Sequence, residues 1–563
     1  MTQHDMARAP DADARPAPSG AWNGAIAGGI AAALATVVML VLRLVADVPS
    51  LPELVQEWIT TWLPVSTFGA FLDTFEGSAK ALAFGALFAL YVLAGALIGV
   101  LLGSRWARPR ALRSPALPPQ ESLGALLLQG LLAGGALLVL ALIVLRPTAS
   151  VPGISLPFLL FGLLLPLCYR WLSPVAPTVA VASVPVEGSD EAPPQGVADV
   201  VASDLPVGAG RGLTEVRRRQ LERLGWGSVA AAGLLALWRY VSLPADGTLL
   251  SGLAGMGSSP GSRGSRRGPD GLPAEVTAND DFYLVSKNLR DPRPDRREWR
   301  LHINGLVGRP IVFTWAELRA LPHREQWQTL ICISNEVGGD YFGNALWTGI
   351  PVADLIRLAG GTGGRAGRVV FRAADGYSDS LPLAKAMDPS TLVATTMNGV
   401  DLPDSHGAPA RLMIPGVYGM KNVKWLNTIE VVDTPFRGYW QQRGWTDAAV
   451  VKTTSRIDFP RRGSVSVAQA GRIAGVAFAG DRGISRVEVS DDDGANWRAA
   501  RLAPPKGPFT WVFWEAPWSP AAGAQYKLAV RATDGAGVRQ AIEASPALPD
   551  GASGYHSITV RVT

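Results

Sequence analysis

Two cysteines and five histidines are all the thiol and imidazole groups in this 563-residue chain. Cys168 and Cys332 stand far apart, which excludes a disulfide-stapled scaffold and a CxxC zinc or iron–sulfur site. His4, His302, His323, His406 and His556 all fall outside the apolar runs, so the chain offers no imidazole at membrane depth to hold haem. A haem-attaching CxxCH is also missing, and no haem is expected. Cys332 is the one cysteine outside the apolar segments. Its thiolate would suit a soft transition-metal site; the plainer reading is an inert, buried cysteine. Asp491-Asp492-Asp493-Gly494 lacks the Glu that closes a calcium loop and reads as a hairpin turn.

The elements that must carry Cys332 emerge from composition. The chain is 48% hydrophobic and 18% charged, with mean hydropathy +0.17. Soluble chains carry about 25% charge, so part of this one is not globular in water. A net charge of +5, spread over both halves, suggests no nucleic-acid partner. The apolar excess lies at the front. Trp22–Leu42, Ala81–Ser104, Ser122–Leu145 and Pro147–Tyr169 contain no Asp, Glu, Lys or Arg. Each is long enough for a bilayer core of about 30 Å, which needs about 20 apolar residues. A shorter run, Leu224–Trp238, lies between Arg223 and Arg239, which can snorkel.

Loop charge sets the expected orientation. Leu44–Ala79 holds five acids and no base before Lys80, whereas Arg105, Arg108, Arg110, Arg113, Arg170 and Arg217–Arg219 mark the other side. The N-terminus is therefore expected inside, and everything after about residue 244 outside, a bacterial cytoplasmic membrane. Arg218-Arg219-Gln220-Leu221 before the last run resembles a twin-arginine export signal.

The remaining chain alternates strand-like runs (Trp299–Ile303, Ile311–Thr314, Gln328–Ile333, Arg368–Arg372) with short helical patterns at Ala316–Ala320 and Pro351–Leu358. From about Ser464 only strands are expected, with turn clusters at near-regular spacing, the pattern of a β-sandwich. The expected organisation is multi-domain. A disordered N-terminus (1–20), a four-helix transmembrane region (21–172), a cytoplasmic linker (173–217), a fifth transmembrane helix (218–243) and a flexible tether (244–275) precede an α+β domain (276–436) and a β-sandwich (437–563).

Within that second half, Leu330-Ile331-Cys332-Ile333-Ser334-Asn335, Gly338-Gly339 and Gly343-Asn344-Ala345-Leu346-Trp347-Thr348-Gly349 resemble the molybdenum-ligand segment of the sulfite oxidase family. Phe371 to Pro382 around Asp375, Met397-Asn398-Gly399, His406-Gly407 with Pro409 and Arg411, and Gly419-Met420-Lys421-Asn422-Val423-Lys424-Trp425 follow in that family's order. The sandwich is similar to its Ig-like dimerisation domain. The resemblance covers residues 276–563.

The resemblance implies one pyranopterin with a mononuclear molybdenum centre, Cys332 as its thiolate ligand, and Cys332 and Asp375 as catalytic residues. It further implies cofactor contacts from Ser286, Lys287, Asn288, Asp375, His406, Arg411, Lys421 and Lys424, with Asn422 and Val423 adding main-chain donors. The implied reaction is oxygen-atom transfer to or from a small molecule, with electrons exchanged with a separate carrier (a cytochrome c or a membrane redox partner) and a possible homodimer through the sandwich.

Two departures bear on the substrate. Sulfite oxidases follow the ligand cysteine with Ala-Gly-Asn-Arg-Arg, where this chain has Ile333-Ser334-Asn335-Glu336-Val337; their active-site tyrosine corresponds to Thr395. The second arginine of that segment helps bind the anion, and here an acid or an apolar residue replaces the cation, which disfavours sulfite. A sulfoxide reductase of the same family and a non-catalytic, membrane-anchored binding module are the alternatives.

Overall fold

The computed structural model describes residues 20–46, 50–63, 67, 79–106, 123–145, 151–172, 268, 271–288 and 291–563. The N-terminal 19 residues, the 173–217 linker, Arg218-Arg219, the Leu224–Trp238 run and most of the 244–275 tether lie outside them. The chain divides into two compact units, one helical and one β-rich.

The helical unit contains long apolar helices at Gly20–Ala46, Ala79–Trp106, Leu123–Leu145 and Val151–Leu172. Two contain stretches long and apolar enough to cross a membrane, Ala21–Met39 and Gly85–Trp106. The other two hold shorter apolar stretches, Leu123–Val139 and Pro157–Leu172. Glycine lets the first two touch backbone to backbone: a Cβ on Gly28 would stand 2.0 Å from the Gly95 carbonyl oxygen. The acidic segment expected as loop contains a further helix, Leu51–Trp62. Its acids, Glu53 and Glu57, are interleaved with apolar residues, and Leu51 and Leu54 are buried.

The β-rich unit begins with two five-stranded sheets. In the first, β1 (Arg300–Gly305) and β2 (Ile311–Thr314) join β10 (Leu426–Val432), β5 (Arg368–Ala373) and β6 (Ser378–Pro382) in the order β2-β1-β10-β5-β6. Only β1 and β10 run parallel. The second has β3 (Arg324–Ile331), β4 (Phe342–Pro351), β7 (Leu392–Met397) and β8 (Val400–Asp401) in that order, with β9 (Arg411–Met413) also on β7. Helix Trp315–Ala320 starts at a capping box in which Thr314 and Glu317 satisfy each other's main-chain N–H. Helix Val352–Leu358 buries Val352, Leu355 and Ile356 in the core that also takes Leu301, Ile303, Phe371 and Ile429.

Two further sheets complete the unit. One has the order β11-β13-β17-β16, from β11 (Thr454–Phe459), β13 (Arg472–Phe478), β16 (Arg501–Leu502) and β17 (Val512–Pro517). The other orders β12-β19-β18-β14-β15, from β12 (Gly463–Val465), β14 (Ile484–Ser490), β15 (Arg498–Ala499), β18 (Gln525–Asp534) and β19 (His556–Val562). Ile473, Trp514 and Ala516 from one share a core with Val487, Leu528, Val530 and Val560 from the other. The run Trp497–Leu502 splits: β15 pairs with β14 and β16 with β17, so the chain changes sheets at Ala500. The Asp493-Gly494 pair turns as expected, with φ of 62° and 87°.

Candidate active site

Cys332 follows β3 at the point where its ladder with β4 ends. The last pair is Ile331 with Phe342, and the Cys332 N–H donates to the Tyr341 carbonyl at 3.0 Å. The loop between them is closed by Asn335, whose N–H donates to the Cys332 carbonyl and whose Oδ1 accepts from the Tyr341 N–H at 2.8 Å. The thiol is 7% exposed, and Sγ lies 2.9 Å from Ser334 Oγ. Burial pushes its pKa up, so without a metal it keeps its proton.

The turn Gly419–Lys421 packs against this loop. A Cβ on Gly419 would meet the Tyr283 hydroxyl at 2.7 Å and the Cys332 Cα at 3.9 Å, so glycine leaves room for both. Tyr283 is held strongly protonated, mainly by burial and then by Cys332, while Arg411 opposes the shift. Sequence reasoning passed over Tyr283. Its signal was the adjacent Phe282-Tyr283 pair, whose apolar bodies pack with Cys332, Trp347 and Met413.

Arg411, at the start of β9, is buried beneath these groups. Nη1 donates to the His406 carbonyl at 3.0 Å, Nη2 to the Asn422 carbonyl at 3.3 Å, and the guanidinium lies over the Trp347 ring. Its buried Nε has no acceptor among the described residues. Burial lowers its pKa to about 10, so it stays charged at neutral pH. Lys424, its side chain 14% exposed, donates to the Ser405 carbonyl at 3.0 Å and faces Asp291 at 3.8 Å. Burial lowers its pKa, and Asp291 works against that.

The segment before β1 completes the group. Lys287 Nζ donates to Asn288 Oδ1 at 3.1 Å, and Asn288 Nδ2 donates to Asp375 Oδ2 at 2.8 Å. Asp375 Oδ1 accepts from the Tyr377 N–H in the β5–β6 turn, and Ser286 Oγ accepts from the Asn288 N–H. Lys287 also lies over the ring of Tyr439, a second residue missed from sequence.

Three expected contacts need correction. Lys421 is 2% exposed and gives its three protons to Asp379 Oδ1 (2.7 Å), the Ser380 carbonyl (3.1 Å) and Asp447 Oδ1 (3.1 Å). An ammonium has only three donors, so none is left for a phosphate. The main-chain N–H groups of Asn422 and Val423 are likewise committed, to the Gly419 and Lys421 carbonyls. His406 keeps its place beside Arg411 as a neutral imidazole: burial depresses its pKa to about 4, and Nε2 donates to the Asn279 carbonyl at 2.8 Å. Asp379 was missed although the period of β6 puts it on the inner face with Leu381. Thr395 is buried in β7 with Arg319 Nη1 3.5 Å from its hydroxyl.

What remains fits an anionic pterin cofactor. Arg411, Lys424 and Lys287 are grouped with amide and carboxylate partners, and the unused Arg411 N–H is a buried donor that an anion would satisfy. Cys332 supplies a soft ligand beside them. Residues 288–440 match the family model described as oxidoreductase molybdopterin binding domain, and residues 448–559 match the Mo-co oxidoreductase dimerisation domain. Sulfite oxidase of Gallus gallus is 28% identical over 316 residues, which cover 46% of this chain and 68% of that protein. Mitochondrial sulfite oxidase of Homo sapiens is 29% identical over 293 residues, covering 44% of this chain and 54% of that protein. Among solved structures, the sulfane dehydrogenase SoxCD from Paracoccus pantotrophus aligns with 24% identity and a TM-score of 0.46, covering 56% of this chain and 91% of that one. Through its β-rich half, this chain belongs to the sulfite oxidase family of molybdopterin oxidoreductases.

Proposed function

We propose that this protein is a membrane-anchored molybdenum-cofactor oxidoreductase whose β-rich half works outside the bacterial cytoplasmic membrane. The observation that carries the reading is the buried Cys332 thiol beside the Arg411–Lys424 group, whose charge and donors suit an anionic pterin. When bound, the thiolate-ligated molybdenum centre supplies oxygen-atom transfer. Cys332 gives up its proton on metal binding, because only the thiolate is a ligand. Arg411 and Lys424 would hold negative charge, and Asp375 ties Asn288, the acceptor of the Lys287 ammonium, to the β5–β6 turn. The Cys332 loop carries Glu336 and Val337 where the family carries two arginines, and the loss of an anion-binding cation argues for a substrate other than the sulfite dianion.

Membrane anchoring rests on the helical unit. Leu90, Leu93, Leu97 and Leu101 form one outward helix face, 59–66% exposed, which suits lipid better than water. Electrons would pass to or from a separate carrier, and the dimerisation-type domain suggests a homodimer. Metal analysis of the detergent-solubilised full chain tests the core of the proposal. We expect about one molybdenum per chain, as one thiolate site implies, and its loss in Cys332→Ser. A folded, metal-free native protein would overturn the proposal.

A further inference from the structure

The Cys332 loop is gripped from outside as well as closed from within. Arg456 on β11, with a side chain 4% exposed, donates from Nη1 to the Gly339 carbonyl at 2.7 Å and lies 3.2 Å from Asp340 Oδ1. Its Nε lies 2.8 Å from Asp458 Oδ1, which is fully buried. One residue earlier in the loop, Gly338 adopts φ +82°, and a Cβ there would stand 2.4 Å from the His556 ring. That imidazole is fixed in turn, since its Nδ1 accepts from the Ile457 N–H of β11 at 3.0 Å. The second domain thus presents a guanidinium and a ring to successive residues of the loop that carries Cys332. A buried ion pair costs desolvation, and an apolar pair would fill the same space at least as stably. A guanidinium that donates to a main-chain carbonyl adds position instead: it fixes where the loop backbone lies.

We infer that Arg456 and His556 are positioning residues for the active site: by clamping residues 338–340, the dimerisation-type domain holds the Cys332 thiol in its buried place. The inference rests on the reading of Cys332 as the metal ligand. It predicts that loosening the clamp exposes the thiol, a property that needs no cofactor to observe.

The test uses the full chain in detergent, produced in cells unable to make the molybdenum cofactor. Iodoacetamide labelling is followed at the Cys332 peptide by mass spectrometry, with the Cys168 peptide as internal reference. Arg456→Met should raise the Cys332 labelling rate about tenfold by making local opening easier, and Arg456→Lys should restore part of the protection. Arg531→Met, which removes a partner of Glu488 and Trp497 elsewhere in the same domain, should leave the rate unchanged. A folded Arg456→Met protein labelled at the parental rate overturns the inference, as does an equal rise in Arg531→Met. Should Arg456→Met fail to fold, His556→Ala decides by removing the ring that Gly338 packs against: faster labelling supports the clamp, and an unchanged rate overturns it. Molybdenum content of the parental protein from cofactor-replete cells is measured in parallel. Its absence would sink the cofactor reading while the labelling comparison still judges the clamp.

Discussion

Lys421 Nζ lies 2.7 Å from Asp379 Oδ1, with the two side chains 2% and 1% exposed. Burial alone would drive the Asp379 carboxyl toward its neutral form; Lys421, Gln441 and the Ser380 N–H oppose it. The pair anchors the Gly419–Lys421 turn, whose first residue packs against Cys332 and Tyr283. Lys421→Met should therefore strand a buried carboxylate and destabilise the β-rich half by ~3–5 kcal/mol. Adding Asp379→Leu should return much of that loss, because the uncompensated charge is gone. Thermal unfolding of the two variants checks the prediction, and equal melting points for parent and Lys421→Met would contradict it.

Arg411 carries a different expectation. Its guanidinium forks between two carbonyls and keeps Nε for another acceptor. Arg411→Lys preserves charge but not the planar set of donors. Pterin content per folded chain should fall about tenfold in Arg411→Lys and further in Arg411→Met, as expected for a lost charged hydrogen bond. Fluorescence of the oxidised pterin measures this without an activity assay. Full retention in both variants would remove Arg411 from the cofactor site.

The site was legible where its chemistry is local and illegible where distant segments meet. Cys332 and the Gly419–Trp425 run could be found because their residue order is distinctive within a few positions. Lys421 was misassigned because Asp379 and Asp447, 42 and 26 residues away, reach it only through the fold. Strand β4 escaped the period-two pattern because it is buried almost continuously, so no alternation marks it. Leu51–Trp62 was hidden by Glu53 and Glu57, whose charge read as loop while Leu51 and Leu54 drove burial.

His406 sets an acid limit. Its pKa falls from an ordinary 6.5 to about 4 in the fold, first through burial and also through Arg411 and Lys424. Between those values the unfolded chain binds a proton that the native imidazole refuses. The contribution is therefore fully present above pH 6.5 and is lost progressively as pH falls toward 4. Linkage puts the loss at about 3 kcal/mol. Denaturant unfolding of the parent and His406→Gln between pH 7 and 4 should show the parent weakening more steeply. Parallel pH curves would show that His406 titrates normally.

Membrane orientation gives the last prediction. The segment Leu44–Ala79 holds only acids, while Arg105 and Arg170 close the last turns of the helices Ala79–Trp106 and Val151–Leu172. Arginines stay cytoplasmic far more readily than acids do, so the acidic segment should face outward. The proposed orientation, in which the apolar run Leu224–Trp238 would cross once more, would put the β-rich half outward too. Arg263, Arg266 and Arg267 lie between the last apolar run and the β-rich half, and trypsin cleaves after arginine. Trypsin added to intact spheroplasts should then cut there and release a soluble fragment that begins between Gly264 and Gly268 and keeps its molybdenum. If the fragment appears only after the membrane is broken, the catalytic half faces the cytoplasm and its electron partner must be sought there.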